Sequence, residues 1–244
     1  HTAQAAGPRR AGCPAVVMAG GKGTRLDPFT RILPKPLVPI GNTPVIGIIV
    51  DRLIRNGIDR ITNSVHHKAK IIRAYFEEEP PACELGFIEE STPLGTAGAL
   101  HMLDGVLAEP FLVTNCDILI DCGYADLMDF HREHGFDITL VGALRNYTIP
   151  YGVCETENER LLRIREKPGY DFLANTGMYA VSPGVLGLVP RDRPFHFTDL
   201  IDKVMREGGK VGVFPVDDGA WIDVGQWEEY RKAVALMDPG TRWL

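Results

Sequence analysis

Hydrophobic residues occur along the chain in short runs that alternate with amphipathic stretches. The apolar or β-branched runs, which predict buried strands, lie at 14–19, 60–65, 84–89, 110–115, 137–144 and 211–216. The amphipathic stretches lie near 43–56, 67–78, 97–107 and 123–134. In the first stretch, Val45, Ile49 and Leu53 fall at helical spacing. The alternation predicts an α/β fold with a Rossmann-like, mostly parallel sheet flanked by helices on both faces.

The pattern changes after about residue 150, where it becomes strand-rich and less regular. Residues 151–181 carry three short apolar runs separated by Glu, Asn, Pro and Gly, which indicates a smaller lobe of mixed strand direction. No Pro- or Gly-rich linker separates the two parts. We therefore predict one domain over 14–238, with a first lobe at about 14–150 and a second at about 151–238.

The first thirteen residues contain Ala, Gly, Pro and Arg without periodicity, which predicts a linker or a cloning remnant over 1–13. The chain begins with His rather than Met. This is compatible with a longer protein that carries a further, regulatory domain upstream.

Composition narrows the classes of partner. The chain has 244 residues, and its 32 acidic and 26 basic side chains give a net charge of −6, which argues against a nucleic-acid surface. Five scattered cysteines form no CxxC pair, so the sequence favours a reducing, cytoplasmic setting over a zinc site or a disulfide framework. No apolar run approaches the ~20 residues of a membrane span, and no secretory signal is visible. Neither nucleic acid nor membrane is expected as a partner, and a homo-oligomer is left open.

A glycine-rich turn follows the first predicted strand. The run AGGKGTRL occupies 19–26, and PKP follows at 34–36. Glycines leave backbone N–H groups uncovered, so they can surround a phosphate chain, and Arg25 and Lys35 add positive charge. The run lacks both the Gly-Lys-Ser/Thr of a Walker A loop and the third glycine of the dinucleotide fingerprint. We interpret it as a grip for a nucleoside triphosphate; the alternative is a glycine turn with incidental basic residues.

The same run carries a resemblance to a known family. Segment 18–40, MAGGKGTRLDPFTRILPKPLVPI, is similar to the signature of the sugar-phosphate nucleotidylyltransferases, which make nucleotide sugars. Later segments resemble that family in the same order: PLGTAG at 93–98, NCD at 115–117, EKP at 166–168, NTG at 175–177 and WIDVG at 221–225. The segment 93–98 is closer to the guanylyltransferases, such as those acting on mannose, heptose or glucosamine 1-phosphate, than to the thymidylyl or glucose uridylyl branches.

The resemblance implies that a sugar 1-phosphate oxygen attacks the α-phosphorus of an NTP and that pyrophosphate leaves. The nucleophile is already an anion, so the reaction needs charge neutralisation and in-line positioning rather than a general base. Mg²⁺ is the expected cofactor, and GTP is the expected donor. The alternatives are a uridylyl- or cytidylyltransferase on a sugar 1-phosphate or a related phosphate, and a non-catalytic nucleotide-sensing module, from which charged site residues would be expected to be lost.

The resemblance also assigns roles to individual residues. Arg25 and Lys35 are the expected catalytic residues, and Asp117 and Asp223 the expected metal ligands. The expected nucleotide-binding residues are Ala19, Gly20, Gly21, Gly23, Thr24, Glu90, Gly95 and Thr96, and those for the sugar phosphate are Gly152, Glu166, Lys167 and Asn175.

Each assignment has a plainer interpretation. Asp117 could cap a helix, Asp223 could belong to a turn, and Gly152 could mark a strand bulge. Single Lys and Arg residues are most often solvated surface charges. The ordered series of motifs favours the functional roles. Cys116 departs from the family pattern, in which glycine usually precedes the first aspartate.

Overall fold

The computed structural model of the protein describes residues 9–236. The strands are β1 (Ala15–Ala19), β2 (Pro39–Ile40), β3 (Thr43–Pro44), β4 (Arg60–Val65), β5 (Glu84–Glu89), β6 (Phe111–Asn115), β7 (Ile118–Ile120), β8 (Ile138–Thr148), β9 (Val153–Glu157), β10 (Arg160–Arg165), β11 (Gly169–Val181), β12 (Val211–Val216) and β13 (Trp221–Asp223). The α-helices are α1 (Phe29–Ile32), α2 (Val45–Arg55), α3 (Ala69–Glu78), α4 (Tyr124–His134), α5 (Phe197–Arg206) and α6 (Trp227–Leu236).

Seven strands form the main sheet, in the order β12-β8-β11-β6-β1-β4-β5. All neighbouring pairs are parallel except the two that involve β11, which runs antiparallel to both β6 and β8. Each of the six predicted strand runs forms a strand of this sheet. The prediction of an α/β fold with a mostly parallel sheet flanked by helices is confirmed.

Strand β1 explains why the sheet is covered on both sides. Ala15, Val17 and Ala19 belong to one hydrophobic cluster, together with residues of α2, α3 and α4. Val16 and Met18 point the other way, into a second cluster that includes residues of α5. A strand buried on both faces gives a continuous apolar run, as the sequence has here. The turn that follows β1 is therefore attached to a strand that is fixed on both faces by core packing.

Three of the four amphipathic stretches form helices, namely α2, α3 and α4. The stretch at 97–107 forms only a 3-10 helix over Gly98–Leu103. The backbone N–H groups of Ala97 and Gly98 both donate to Phe195 O, at 3.0 and 3.1 Å, so the start of this element is held by a distant segment. The sequence pattern did not predict α5 or α6.

The predicted second lobe shares the main sheet with the first. Strands β8 and β11 pair from Gly169↔Thr148 to Val181↔Ile138, with a register shift between Asn175 and Tyr179. Strands β9 and β10 form a separate two-stranded sheet beside this long pair.

The predicted linker over 1–13 packs against the domain in its last five residues. Ala11 and Cys13 are buried in the core, and Ala11 N donates to Asn56 O at 2.8 Å. Arg9 forms ion pairs with Asp126 and Asp129. The linker prediction is therefore wrong for 9–13, and 1–8 lie outside the described residues, as do 237 and 238 of the predicted domain. Over residues 9–236, no helix is both long enough and apolar enough to cross a membrane.

Candidate active site

Two adjoining clefts lie where β1 and β6 end. The first cleft has a volume of about 470 Å³ and the second about 380 Å³. The residues that line both clefts are Arg25, Thr96, Asn115, Asp117 and His196. The carboxyl ends of parallel strands are the usual place for a ligand in this class of sheet.

The glycine-rich turn forms one wall of the first cleft. Gly20 and Gly21 line it directly. Gly23 adopts a left-handed conformation with φ 70°, and a Cβ there would lie 2.6 Å from the Cβ of Lys35. Glycine is therefore required for the chain to turn and to bring Lys35 against the cleft. Ala19 is the buried last residue of β1 and Thr24 is the exposed first residue of a 3-10 turn, and neither is among the residues that line the cleft.

Lys35 lies in the first cleft and forms an ion pair with Asp117. Their side chains are only 13% and 9% exposed. Burial opposes the charge of Lys35, but attraction to Asp117 and Cys116 and the hydrogen bond to Asp117 together outweigh it, so the pKa of Lys35 is raised above its usual value. Lys22 and Arg25 also line the first cleft, and Arg25 lines the second cleft as well.

Asp117 and Asp223 are brought together by a very short pair of strands. β13 pairs antiparallel with β7, with Asp223 opposite Ile118, the residue next to Asp117. A Cβ at Gly225 would lie 2.2 Å from Asp117 Oδ2 and 2.9 Å from Asp223 Oδ1. A side chain at position 225 would therefore occupy the space beside both carboxylates, and glycine leaves this space free.

This pair of carboxylates suits a divalent cation. Their donor atoms are all oxygen, the ligand type that Mg²⁺ prefers. Asp223 is held in place because its Oδ1 accepts from Gly225 N at 2.9 Å and its Oδ2 from Gln226 Nε2 at 3.0 Å. Within residues 9–236 no group of three or more His, Cys, Asp or Glu side chains could hold a metal ion. Asp117 and Asp223 could therefore supply two oxygen ligands to a divalent cation.

Glu90 lies at the back of the first cleft and is buried. Its Oε1 accepts from Ser64 Oγ at 2.7 Å, and its Oε2 accepts from Leu94 N at 2.9 Å. A Cβ at Gly20 would lie 2.4 Å from Glu90 Oε1, so the glycine allows this carboxylate to approach the turn. Glu90 thus fixes the loop at 93–98, and its oxygens keep lone pairs beyond these two bonds.

The loop at 93–98 is held on its far side by a segment that the sequence analysis did not identify. Gly95 has φ +80°, and a Cβ there would lie 2.7 Å from Phe195 O. Thr96 Oγ1 accepts from Phe197 N at 3.0 Å, and Thr96 N lies 3.4 Å from His196 Nδ1. His196, which lines both clefts, is therefore a site residue that the sequence did not reveal; it carries no recognisable motif and is 100 residues from its partner.

Asn175 lines the second cleft, as do Thr176 and Gly177. The Asn175 side chain accepts from Gly177 N and donates to Tyr179 Oη, both at 3.0 Å. Gly177 has φ +87°, and a Cβ there would lie 2.5 Å from Asn115 Nδ2. The register shift in β11 therefore places the segment 175–177 against the end of β6.

The other predicted sugar-phosphate residues lie apart from both clefts. Gly152, Glu166 and Lys167 are exposed, and none of them is in the lining of either cleft. They are close to one another, since a Cβ at Gly152 would lie 3.1 Å from Glu166 Oε2, and Lys167 N donates to Tyr151 O at 3.3 Å. The structure thus groups these three residues outside the linings of the two clefts.

Comparison with known proteins places this geometry in a family. The family model described as nucleotidyl transferase matches residues 14–238. The chain belongs to the nucleotidyl transferase family. The resemblance to sugar-phosphate nucleotidylyltransferases is thereby confirmed.

Several relatives extend the comparison. The chain is 32% identical over 238 residues to the mannose-1-phosphate guanyltransferase beta-B of Xenopus laevis, covering 93% of this chain and 65% of that protein. It is 34% identical over 233 residues to the mannose-1-phosphate guanyltransferase of Aspergillus fumigatus, covering 91% and 63%. The chain thus spans just under two thirds of these relatives' length. The structure of HddC from Yersinia pseudotuberculosis complexed with GMP-PN matches with a TM-score of 0.74, at 27% identity, over 93% of this chain and 100% of that one.

Cys116, the departure from the family pattern, lines the first cleft and is almost wholly buried. Burial raises the pKa of Cys116 to about 12, so its side chain remains a neutral thiol. Compared with the glycine that is usual in the family, Cys116 adds side-chain bulk to the lining next to Asp117 and adds no charge.

Proposed function

We propose that this protein transfers a nucleoside monophosphate from GTP to a sugar 1-phosphate and releases pyrophosphate and a nucleotide sugar. The observation that carries the proposal is the pairing of Asp117 and Asp223 across Gly225, beside Arg25 and Lys35. The two clefts together are lined by three carboxylates and three basic side chains beside an exposed glycine turn, namely Glu90, Asp117, Asp223, Lys22, Arg25 and Lys35. This lining is suited to a triphosphate and to the charge that develops when it is cleaved.

The residues take complementary parts in this reaction. The glycine turn at 20–23 receives the triphosphate through backbone N–H groups, Arg25 neutralises the departing pyrophosphate, and Lys35 approaches the α-phosphate. The sugar 1-phosphate oxygen forms a bond to the α-phosphorus while the bond from that phosphorus to the bridging oxygen breaks. When bound between Asp117 and Asp223, Mg²⁺ would neutralise phosphate charge and orient the α-phosphate.

Guanine is the proposed base. Curated relatives of this chain are named mannose-1-phosphate guanyltransferases, and the HddC structure contains GMP-PN. Guanine presents N1–H and N2–H₂ donors together on one edge. Glu90, with lone pairs beyond its bonds to Ser64 and Leu94, can accept from such donors, and a base without them would lose these added bonds. A hydrogen bond to a charged group contributes about 1.5–3 kcal/mol, so the loss of one would weaken binding about 10- to 150-fold.

The second cleft is the proposed place of the sugar. Asn175 lines this cleft together with Asp117 and Asp223, so a sugar phosphate bound to Asn175 would share the cleft with both carboxylates. This assigns the nucleotide to the lobe at about 14–150 and the sugar to the lobe at about 151–238. Gly152, Glu166 and Lys167 stay candidates for the sugar phosphate from outside the cleft lining.

Pyrophosphate release should be measured for ATP, GTP, CTP and UTP against a panel of sugar 1-phosphates, with mannose 1-phosphate first. We expect release that requires both GTP and a sugar phosphate. Preference for UTP or CTP would refute the guanine assignment but not the transfer. Tight NTP binding without any release would refute catalysis and favour a nucleotide-sensing module.

A further inference from the structure

Helix α6 packs against the segment 27–39, which begins two residues after Arg25 and contains Lys35. Trp227 Nε1 donates to Asp27 O at 3.2 Å, and its ring centroid lies 5.2 Å from that of Phe29. Tyr230 completes this aromatic cluster, at 5.8 Å from Trp227, and its hydroxyl donates to Pro39 O at 2.6 Å. Two residues of α6 therefore grip the segment 27–39 near both ends.

The same helix begins beside the candidate metal ligands. Asp223 accepts hydrogen bonds from the backbone of Gly225 and the side chain of Gln226, and Trp227 follows immediately as the first residue of α6. Asp27, the backbone partner of Trp227, is two residues from Arg25. Trp227 therefore lies next in sequence to a partner of Asp223 and hydrogen-bonds to the backbone two residues from Arg25.

The large apolar residues of α1 gain little support from the hydrophobic core, unlike Leu37 and Val38 at the other end of the segment, which are buried. Phe29 is 45% exposed and Ile32 is 78% exposed, so the two large apolar residues of α1 remain partly or mostly in solvent. Lys68 Nζ donates to the carbonyls of Thr30, Arg31 and Ile32, and so braces the far end of α1. Near Arg25, the buried side chain of Leu26 and the bonds from Thr30 Oγ1 to Gly23 O and Asp27 Oδ1 hold the chain from within. Trp227 adds a contact from a different element, two residues from Arg25.

We propose that Trp227 is a positioning residue, which sets the place of the Arg25 guanidinium relative to Asp117 and Asp223. The proposal rests on the proposed function, because it concerns how a triphosphate meets the cation and the carboxylates together. Trp227 touches no reacting atom in this scheme. Its effect passes through the backbone of Asp27 and the ring of Phe29.

The test compares Trp227→Ala and Trp227→Phe with a matched control, Phe130→Ala. Phe130 belongs to an aromatic cluster with His134, Phe136 and Phe214, at centroid distances of 4.3 to 5.7 Å, and none of the four lines either cleft. Trp227→Ala and Phe130→Ala both lose aromatic packing, but only Trp227→Ala loses the contacts with the Arg25 segment, and Trp227→Phe keeps the ring contact with Phe29.

We expect Trp227→Ala to lower kcat by about 10- to 100-fold, the size of effect that misplacing a catalytic group causes. Trp227→Phe should restore most of the rate, because it keeps the ring contact with Phe29 and loses only the indole N–H. Phe130→Ala should lower the melting temperature and keep the wild-type kcat. In an Arg25→Ala background, Trp227→Ala should cost less than about threefold, because groups that act as a unit are non-additive.

Two results would overturn the proposal. In the first, the fold-decrease in kcat of the double variant equals the product of the decreases in Arg25→Ala and Trp227→Ala. In the second, kcat of Trp227→Ala falls no more than kcat of Phe130→Ala. The affinity for GTP should also be measured by calorimetry, without sugar phosphate, for the wild type, Arg25→Ala, Trp227→Ala and the double variant, which together form a double-mutant cycle. If the wild-type protein binds GTP but transfers nothing, the proposed function fails, and the affinity cycle still decides whether Trp227 acts through Arg25.

Discussion

Replacing Gly225 by Ala tests the paired carboxylates with a single methyl group. The new Cβ would lie 2.2 Å from Asp117 Oδ2 and 2.9 Å from Asp223 Oδ1. Non-bonded carbon and oxygen atoms settle at about 3.3 Å or more, so Asp117 Oδ2 has to move by about 1 Å. Gly225 does not have a positive φ, so the strain of the substitution comes from this contact rather than from the backbone.

A displacement of this size has a large expected effect on rate. A misplacement of 1 Å in a catalytic site can cost about 10² in rate, so we expect kcat of Gly225→Ala to fall about 100-fold. The variant should also need more Mg²⁺ for half-maximal activity, because the distance between the two carboxylates changes. Initial rates of pyrophosphate release, measured at saturating GTP and sugar phosphate over a series of Mg²⁺ concentrations, give both quantities.

The matched control is Gly184→Ala, whose Cβ would meet no atom within 4 Å and which lies in a 3-10 helix away from the clefts. It should keep wild-type kinetics. Thermal melts of both variants establish that they are folded. A folded Gly225→Ala protein with wild-type kcat and wild-type Mg²⁺ dependence would refute the shared metal site.

Three further predictions concern the metal ligands, the two basic residues of the site and a buried histidine. Activity should disappear in excess EDTA, and Asp117→Asn should lose most turnover while circular dichroism shows a folded protein; full activity in EDTA would contradict the metal. Arg25→Ala should lose about 10²–10³ in kcat at an unchanged melting temperature, whereas Lys35→Ala should lose both rate and stability, because it leaves the buried Asp117 without its partner; unchanged kinetics in both would contradict their roles. Stability should fall as the pH drops below about 6.5, because burial lowers the pKa of His131 and the unfolded chain then binds the proton that the folded one refuses. Melting temperatures of wild type and His131→Gln between pH 8 and 5 test this, and parallel curves would contradict it.

The main sheet could be predicted from the sequence because its signal is local. Strands buried on both faces, such as β1, give unbroken apolar runs, and the glycines after β1 mark the turn into the cleft. The stretch at 97–107 was harder to predict, because contacts with Phe195, nearly a hundred residues away, determine how it begins. Periodicity within a window contains no information about such a partner.

The candidate site was predicted in its residue types but not in its assembly. The resemblance named Asp117 and Asp223, yet their proximity depends on three-residue strands, β7 and β13, that are too short to give a pattern. His196 and Trp227 were missed for the same kind of reason, since Trp227 contacts Asp27 across 200 residues. Strand β11 was predicted as part of a separate lobe, although its second half pairs with β6 in the main sheet.

The ion pair between Lys35 and Asp117 is better understood as preparation for a ligand than as a source of stability. Removing two charges from water costs about as much as their attraction returns, so a buried pair adds little to the free energy of folding. It does hold an ammonium and a carboxylate in fixed positions, at a place where Gly225 leaves room beside the carboxylate and Gly23 lets Lys35 approach. A bound triphosphate would give Lys35 another anion to face and would release Asp117 Oδ2 toward a cation shared with Asp223. In the proposed reaction the folded chain would therefore hold these charges in place before the substrates bind, which is the condition under which electrostatic groups lower a barrier most effectively.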